Sequence, residues 1–334
     1  MPAADRRSPP PRPAVIRLSR AWLLRAAGSA ILLGLVFWRV PMDGVLEGFA
    51  SIHWDVFVFV LVAFLCGHVL AAAKWWFLLD RRVPFPAALR AHFAGLAANL
   101  CLPGVAGGDV VRASLVHRLM GDGARLAASS LTDRLLDMLA LVLLSVAGLM
   151  LLQGKAGATY LAFELLALFT IALGCIFYIA PALISWMYTR APSLPARNLM
   201  TRIGAAFGAL GQRPLRLCLV TSMSALIQAG FILLAVQLAK DVGLNLPLAA
   251  WFFAWPLAKI VAVLPVSLGG LGVREASLAV ILTGFGAVAA DVVAASLIWQ
   301  AVIMCAGLIG AVAWMTGRSF GRSAKETFVE PEGS

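Results

Sequence analysis

Leu102-Pro103-Gly104-Val105-Ala106-Gly107-Gly108-Asp109-Val110-Val111-Arg112 and Leu264-Pro265-Val266-Ser267-Leu268-Gly269-Gly270-Leu271-Gly272-Val273-Arg274 are two versions of one stretch, 162 residues apart in apolar surroundings. Leu, Pro, both Gly, Val and Arg coincide at that offset, where ordinary amino-acid usage gives about one match by chance. The correspondence continues outward: Ala127, Ala128, Leu135 and Gly148 recur as Ala289, Ala290, Leu297 and Gly310. Pro and Gly break helices, and backbone left unpaired at membrane depth is tolerated only where protein or a wet cavity surrounds it. A repeat built on such breaks, each copy ending in an arginine, is the pattern of transporters with paired discontinuous helices.

Composition places the chain in a membrane. Of its 334 residues 61% are hydrophobic and only 13% charged, too little charge for a water-exposed surface, and the mean hydropathy is +0.91. Six stretches match the about 20 residues a hydrocarbon core requires: Trp22–Val40, Trp54–Leu79, Leu126–Leu152, Thr159–Trp186, Leu217–Ala239 and Val288–Met315. Two interrupted apolar stretches, Phe85–Leu119 and Pro247–Thr283, carry the repeated motif. The net charge of +11 does not argue for nucleic acid, because the arginines sit in short loops beside apolar spans. Anionic headgroups are the partners such loops favour.

Lys and Arg bias sets the expected orientation. Arg6, Arg7, Arg12, Arg17 and Arg20, then Arg81, Arg82 and Arg90, then Arg190 to Arg216, and finally Arg318, Arg322 and Lys325 define one side, read as cytoplasmic, with both termini there. The expected home is a bacterial inner membrane. If each interrupted stretch dips in and returns, each half makes three crossings and the second half enters inverted. An arm such as Asp109–Leu119 rises only about 16 Å, short for a full crossing, although short tilted helices would keep the same loop sides. The expected fold is all-α and polytopic, with six crossing helices, two broken re-entrant hairpins and two inverted repeats. Its expected divisions are a basic arm at 1–20, a first repeat at 21–157 with its hairpin at 85–119, a second at 158–317 with its hairpin at 247–283, and a loose tail at 318–334. The arm has too little apolar content to order by itself, and it precedes a retained span rather than a cleaved signal.

The candidate site follows from the breaks. Gly107, Gly108, Gly269 and Gly270 permit close backbone approach, and each helix restarting after them offers free N–H groups to an anion. Asp109 suits the cap, with Arg112 one turn on; Arg274 is followed by Glu275. An arginine fork can hold two phosphate oxygens. The competing reading pairs Arg112 and Arg274 internally with Asp109, Asp133, Asp137 or Glu275, since intramembrane charges seldom stay unpaired. Asp133 and Asp137 share a helix face, with Arg134 beside them. Lys259 is open to headgroup contact or local pairing, and Asn99 reads as a cap for the broken helix. Lys74 with Trp75 and Trp76 reads as snorkelling charge with interfacial aromatics. His53, His68, His92 and His117 have no metal spacing, and the five cysteines read as buried packing. No cofactor is implied.

Asn99-x-x-Leu102-Pro103-Gly104-x-x-Gly107-Gly108-Asp109-x-x-Arg112, Ser130-x-x-Asp133-Arg134, and Pro265-x-Ser267-x-Gly269-Gly270-Leu271-Gly272-x-Arg274-Glu275 resemble the flippase-like membrane domain of lysylphosphatidylglycerol synthases and its stand-alone relatives. The resemblance spans roughly Trp22 to Thr316. It implies a lipid translocase without the soluble aminoacyl-transferase domain, and places Asp109, Arg112, Asp133, Arg134, Arg274 and Glu275 in a polar cluster between the hairpins. Implied cargoes are an anionic or aminoacylated phospholipid, such as aminoacylated phosphatidylglycerol, or a polyprenyl-phosphate-linked or hopanoid-related lipid. Alternatives are a membrane-embedded headgroup transferase with Asp133 as base, leaving enzyme status open, or a non-transporting subunit of a lipid-synthesis assembly. A homo-oligomer is compatible with the sequence.

Overall fold

The computed structural model describes residues 34, 38, 42–102, 107–152, 156–191, 196–263 and 271–326. The basic arm, both repeated turns with Gly269 and Gly270, and all but two residues of the expected first span lie outside the described residues. The described helices are α1 (Met42–Ser51), α2 (Trp54–Leu78), α3 (Phe85–Cys101), α4 (Gly107–Met120), α5 (Gly123–Leu151), α6 (Ala156–Gly174), α7 (Ala180–Arg190), α8 (Arg197–Gly211), α9 (Pro214–Asp241), α10 (Leu248–Val261), α11 (Val273–Thr283) and α12 (Ala289–Glu326). A π-helical segment, Cys175–Ile179, joins α6 to α7.

The chain is a polytopic, all-helical membrane protein. Among the described residues, five helical stretches are long and apolar enough to span: Trp54–Leu78, Gly123–Leu151, Leu166–Arg190, Pro214–Asp241 and Ala289–Met315. Their outward faces carry large apolar side chains such as Phe59, Leu226 and Val312, which hydrocarbon accepts and water penalises. Cys66, Cys175 and Cys218 lie on exposed faces rather than in the core, a place equally suited to a small hydrophobe when the solvent is lipid. The last helix continues to Glu326, past the start of the expected loose tail, because no proline interrupts it before Pro331.

Local chemistry sets the helix limits. Pro84 and Pro86 flank the start of α3, where a missing N–H costs nothing. Leu102, preceding Pro103, is already extended at φ −90° and ψ 140°, as the proline ring requires of its predecessor. Shifting α2, α3, α4 and α5 by 162 residues lands on α9, α10, α11 and α12, with starts agreeing to within four residues.

The packing follows the same register. The most extensive contacts between the helices of the two halves are α5 on α10 and α3 on α12, and each crossing includes a closely packed glycine. A Cβ on Gly148 would lie 2.4 Å from the backbone nitrogen of Phe253, and one on Gly310 would lie 2.6 Å from the carbonyl oxygen of Phe93. Gly148 and Gly310 are the repeat-equivalent pair. Within the first hairpin, Gly95 and Gly108 bring α3 and α4 together, each Cβ position falling within 2.7 Å of the other's carbonyl oxygen. Around these crossings Phe64, Trp255 and Trp299 form an aromatic core, with ring centroids 5.2 Å apart for Phe64–Trp299 and for Trp255–Trp299.

At one end of the bundle Asp80, in the α2–α3 loop, pairs with Arg125, Arg213 and Arg216. Burial alone would raise its carboxyl pKa, but hydrogen bonds and charge from Arg216 and Arg125 outweigh it and hold the group below its ordinary range. A depressed carboxyl pKa contributes stability above the unfolded-state value and loses it as pH falls through the folded-state value. Asp80→Asn is therefore expected to melt lower than wild type at pH 7, and the gap to begin closing near pH ~4, as thermal unfolding in detergent across pH will register. Gly148→Ala and Gly310→Ala are each expected to lose about 1–3 kcal/mol from overpacking. Gly230→Ala, with nothing within 4 Å of its Cβ position, serves as the neutral control in the same melts.

Candidate functional site

Asp133 is the centre of a buried ion network. It lies ten residues into α5, and Ser224 lies ten residues into α9, each about 15 Å along its helix. Lys74 from α2 approaches Asp133 Oδ1 at 3.0 Å, pairs with Asp137 and donates to Ser224 Oγ at 2.8 Å. Arg112 from α4 reaches Asp133 Oδ2 and Asp109 Oδ1, both at 3.2 Å. Arg134 pairs with Asp109. Lys74, Arg112 and Asp133 are 2%, 6% and 4% exposed, so each cation depends on these carboxylates for solvation.

These groups line a cavity of about 140 Å3 between both hairpins and the long helices. Its wall also includes His68, His92, Asn99, Gln228, Phe231 and Lys259. The imidazoles of His68 and His92 meet at 3.1 Å, and His92 Nδ1 lies 3.4 Å from Arg112 Nη1. The Arg112 guanidinium stacks 4.3 Å from the Trp75 ring centroid, a favourable contact for a desolvated cation. Lys259 donates to Gln228 Oε1 at 2.8 Å and lies 5.8 Å from the Phe231 ring. Among the described residues it has no carboxylate partner. Four formal cations, Lys74, Arg112, Arg134 and Lys259, thus face three carboxylates, Asp109, Asp133 and Asp137.

The structure gathers Arg112, Asp109, Asp133, Arg134, Lys259, Asn99 and Gly108 around one cavity, with Gly107 opening α4 beside it. Arg274 and Glu275 do not line that cavity. Arg274 donates to Glu275 at 2.6 Å and, on α12, to the Ser296 carbonyl and Gln300 Oε1, both at 3.2 Å. Glu275 in turn accepts from the Gly272 N–H at 2.7 Å. The two arginines make the same move in both halves, each reaching from the second hairpin arm to the following long helix.

Asp109 falls inside the first turn, because α4 begins at Gly107. Asn99 does the capping, accepting the Gly108 N–H at 2.8 Å. Lys74 and Trp75 do not sit at an interface: both are buried, as the first-half network demands. His68 and His92 belong to the cavity although their spacing promised nothing. For Lys74, the available signal was its recurrence with Asp133 and Asp137 as charges inside apolar spans, which must find one another.

A partly open, charged cavity thus lies among apolar helices long enough to span a membrane. The chain belongs to the family described as the lysylphosphatidylglycerol synthase TM region, whose model matches residues 22–310. No curated protein matches it.

Asp133→Asn leaves Lys74 with Asp137 and Arg112 with Asp109 as their remaining carboxylates, one each where there were two, and is expected to cost up to about 3–5 kcal/mol. Adding Lys74→Met is expected to restore part of that loss, which a double-mutant cycle of detergent melts will measure.

Proposed function

We propose that the chain is a lipid translocase of a bacterial inner membrane, moving a phosphate-bearing headgroup through the cavity between the hairpins while the acyl chains stay in the bilayer. The observation that carries this reading is Lys259, a half-buried cation facing the cavity with no ion-paired carboxylate among the described residues. Its charge gives an incoming phosphate an electrostatic reason to enter.

The cavity of about 140 Å3 is smaller than the about 300 Å3 at which pockets hold a sizeable ligand. In this reading the cavity must widen for passage, which requires α4 to part from α5. Two ion pairs cross that boundary, Arg112 with Asp133 and Arg134 with Asp109. A phosphate replaces those carboxylates as the arginines' partner, so opening need not leave a bare charge in hydrocarbon. An aminoacylated headgroup adds a cation for which the released Asp109 or Asp133 is the natural acceptor.

In this reading the two halves are inverted repeats with re-entrant hairpins and cytoplasmic termini. The matched helix register, the equivalent glycine crossings and the parallel reach of Arg112 and Arg274 support it. Arg274 and Glu275 then act as the second hairpin's own clamp. Reconstitution into vesicles with labelled phosphatidylglycerol tests the proposal: Lys259→Gln and Arg112→Gln are each expected to slow translocation by about tenfold or more, about 1.4 kcal/mol or above. Unchanged rates in both would overturn it.

A further inference from the structure

A second charged pocket lies at the end of the bundle, where three apolar helices stop together. Asp80 follows the end of α2, Asp122 precedes α5, and Arg213 precedes α9. With Arg125, Arg202 and Arg216 they enclose about 280 Å3 over a floor formed by the alanine face of α8, Ala205, Ala206 and Ala209. None of these residues lines the Lys259 cavity.

We propose that this pocket binds a phosphate-bearing anion at the membrane–water boundary. Four arginines face two carboxylates there, leaving a formal surplus of two positive charges. Asp122 is already engaged, accepting the Arg125 N–H at 3.2 Å as the α5 cap and Arg202 at 3.0 Å. Asp80 serves Arg125, Arg213 and Arg216 together, so one carboxylate is spread over three guanidinium groups. Arg216 Nε is buried with no hydrogen-bond partner among the described residues.

The loop geometry is specific to this arrangement. Asp80 and Arg81 adopt φ of 55° and 56°, a left-handed conformation that non-glycine residues avoid and that persists where surrounding contacts impose it. Backbone bonds closing the end of α2 hold it, from the Asp80 N–H to the Phe77 carbonyl and from the Arg81 N–H to the Trp76 carbonyl, and from that turn Asp80 meets the arginines. Planar guanidinium forks arranged around a void match phosphate oxygens. The alanine floor is apolar where a glycerol backbone would rest, so a phospholipid headgroup and free phosphate share the anchoring chemistry and differ in what covers the floor. The assignment stands independently of the translocation reading.

Arg202 and Arg213 are 62% and 56% exposed, so replacing them spares the core. The full chain in detergent is presented with phosphatidylglycerol, phosphatidylcholine or inorganic phosphate, and bound adducts are counted by native mass spectrometry. Wild type is expected to retain phosphatidylglycerol over phosphatidylcholine, and Arg202→Gln with Arg213→Gln to lower that retention at least fivefold. Arg202→Lys with Arg213→Lys is expected to recover it, and the Gln pair to leave translocation of labelled phosphatidylglycerol in vesicles at the wild-type rate, which separates this pocket from the Lys259 cavity. Loss of phosphate adducts without a lipid preference assigns the site to a free anion. Equal binding of every probe by wild type and the Gln pair would overturn the proposal.

Discussion

The first half of this protein is organised around one carboxylate. Asp133 lies between Lys74 on α2 and Arg112 on α4, so three helices converge on a group that hydrocarbon would reject alone. In a bilayer there is little hydrophobic force between helices, because lipid tails are as apolar as leucine. Polar pairing and close backbone packing must therefore fix their arrangement. The Asp133 network supplies the first and the glycine crossings at Gly148 and Gly310 supply the second.

These two devices act on different boundaries. The glycines join each first hairpin arm to the long helix of the other half, so α5 meets α10 and α12 meets α3. Those contacts are backbone-close and carry no ion pair among the described residues, Ser145 donating to the Phe253 carbonyl at 3.1 Å beside the Gly148 crossing, and they suit a permanent frame. The second arms are held differently: α4 to α5 through Arg112 and Arg134, and α11 to α12 through Arg274. An ion pair can exchange one partner for another, whereas a packed glycine crossing cannot. The fold thus combines a fixed frame with arms held by exchangeable bonds, and the proposed headgroup path runs along the second kind of boundary.

The halves are not chemically equal. Position by position, the partners of Arg112 are carboxylates, while Arg274 has a neighbouring carboxylate and neutral acceptors on α12. Lys74, Asp133 and Asp137 correspond to Val236, Ala295 and Trp299 at the repeat offset, so charge is concentrated around the first hairpin and an aromatic core fills the matching space in the second. Lys259, from the second hairpin, is the contribution that crosses over. A pseudo-symmetric frame therefore carries one asymmetric polar cavity.

The sequence alone determined the membrane class and the all-helical fold, and it located the helix end at Leu102, because hydrocarbon thickness and proline sterics act over a few residues to a few turns. It also singled out as candidates Arg112, Asp109, Asp133, Arg134 and Lys259, which line one cavity, since charge inside an apolar span is conspicuous without coordinates. What the tertiary structure decided is who meets whom. Lys74 read as an interfacial charge because nothing local distinguishes a snorkelling lysine from one whose partner lies 59 residues on. The histidine pair and the separation of Arg274 from the cavity depend likewise on helix rotation and crossing. Those are set by contacts between distant segments, and no window of sequence contains both sides of such a contact.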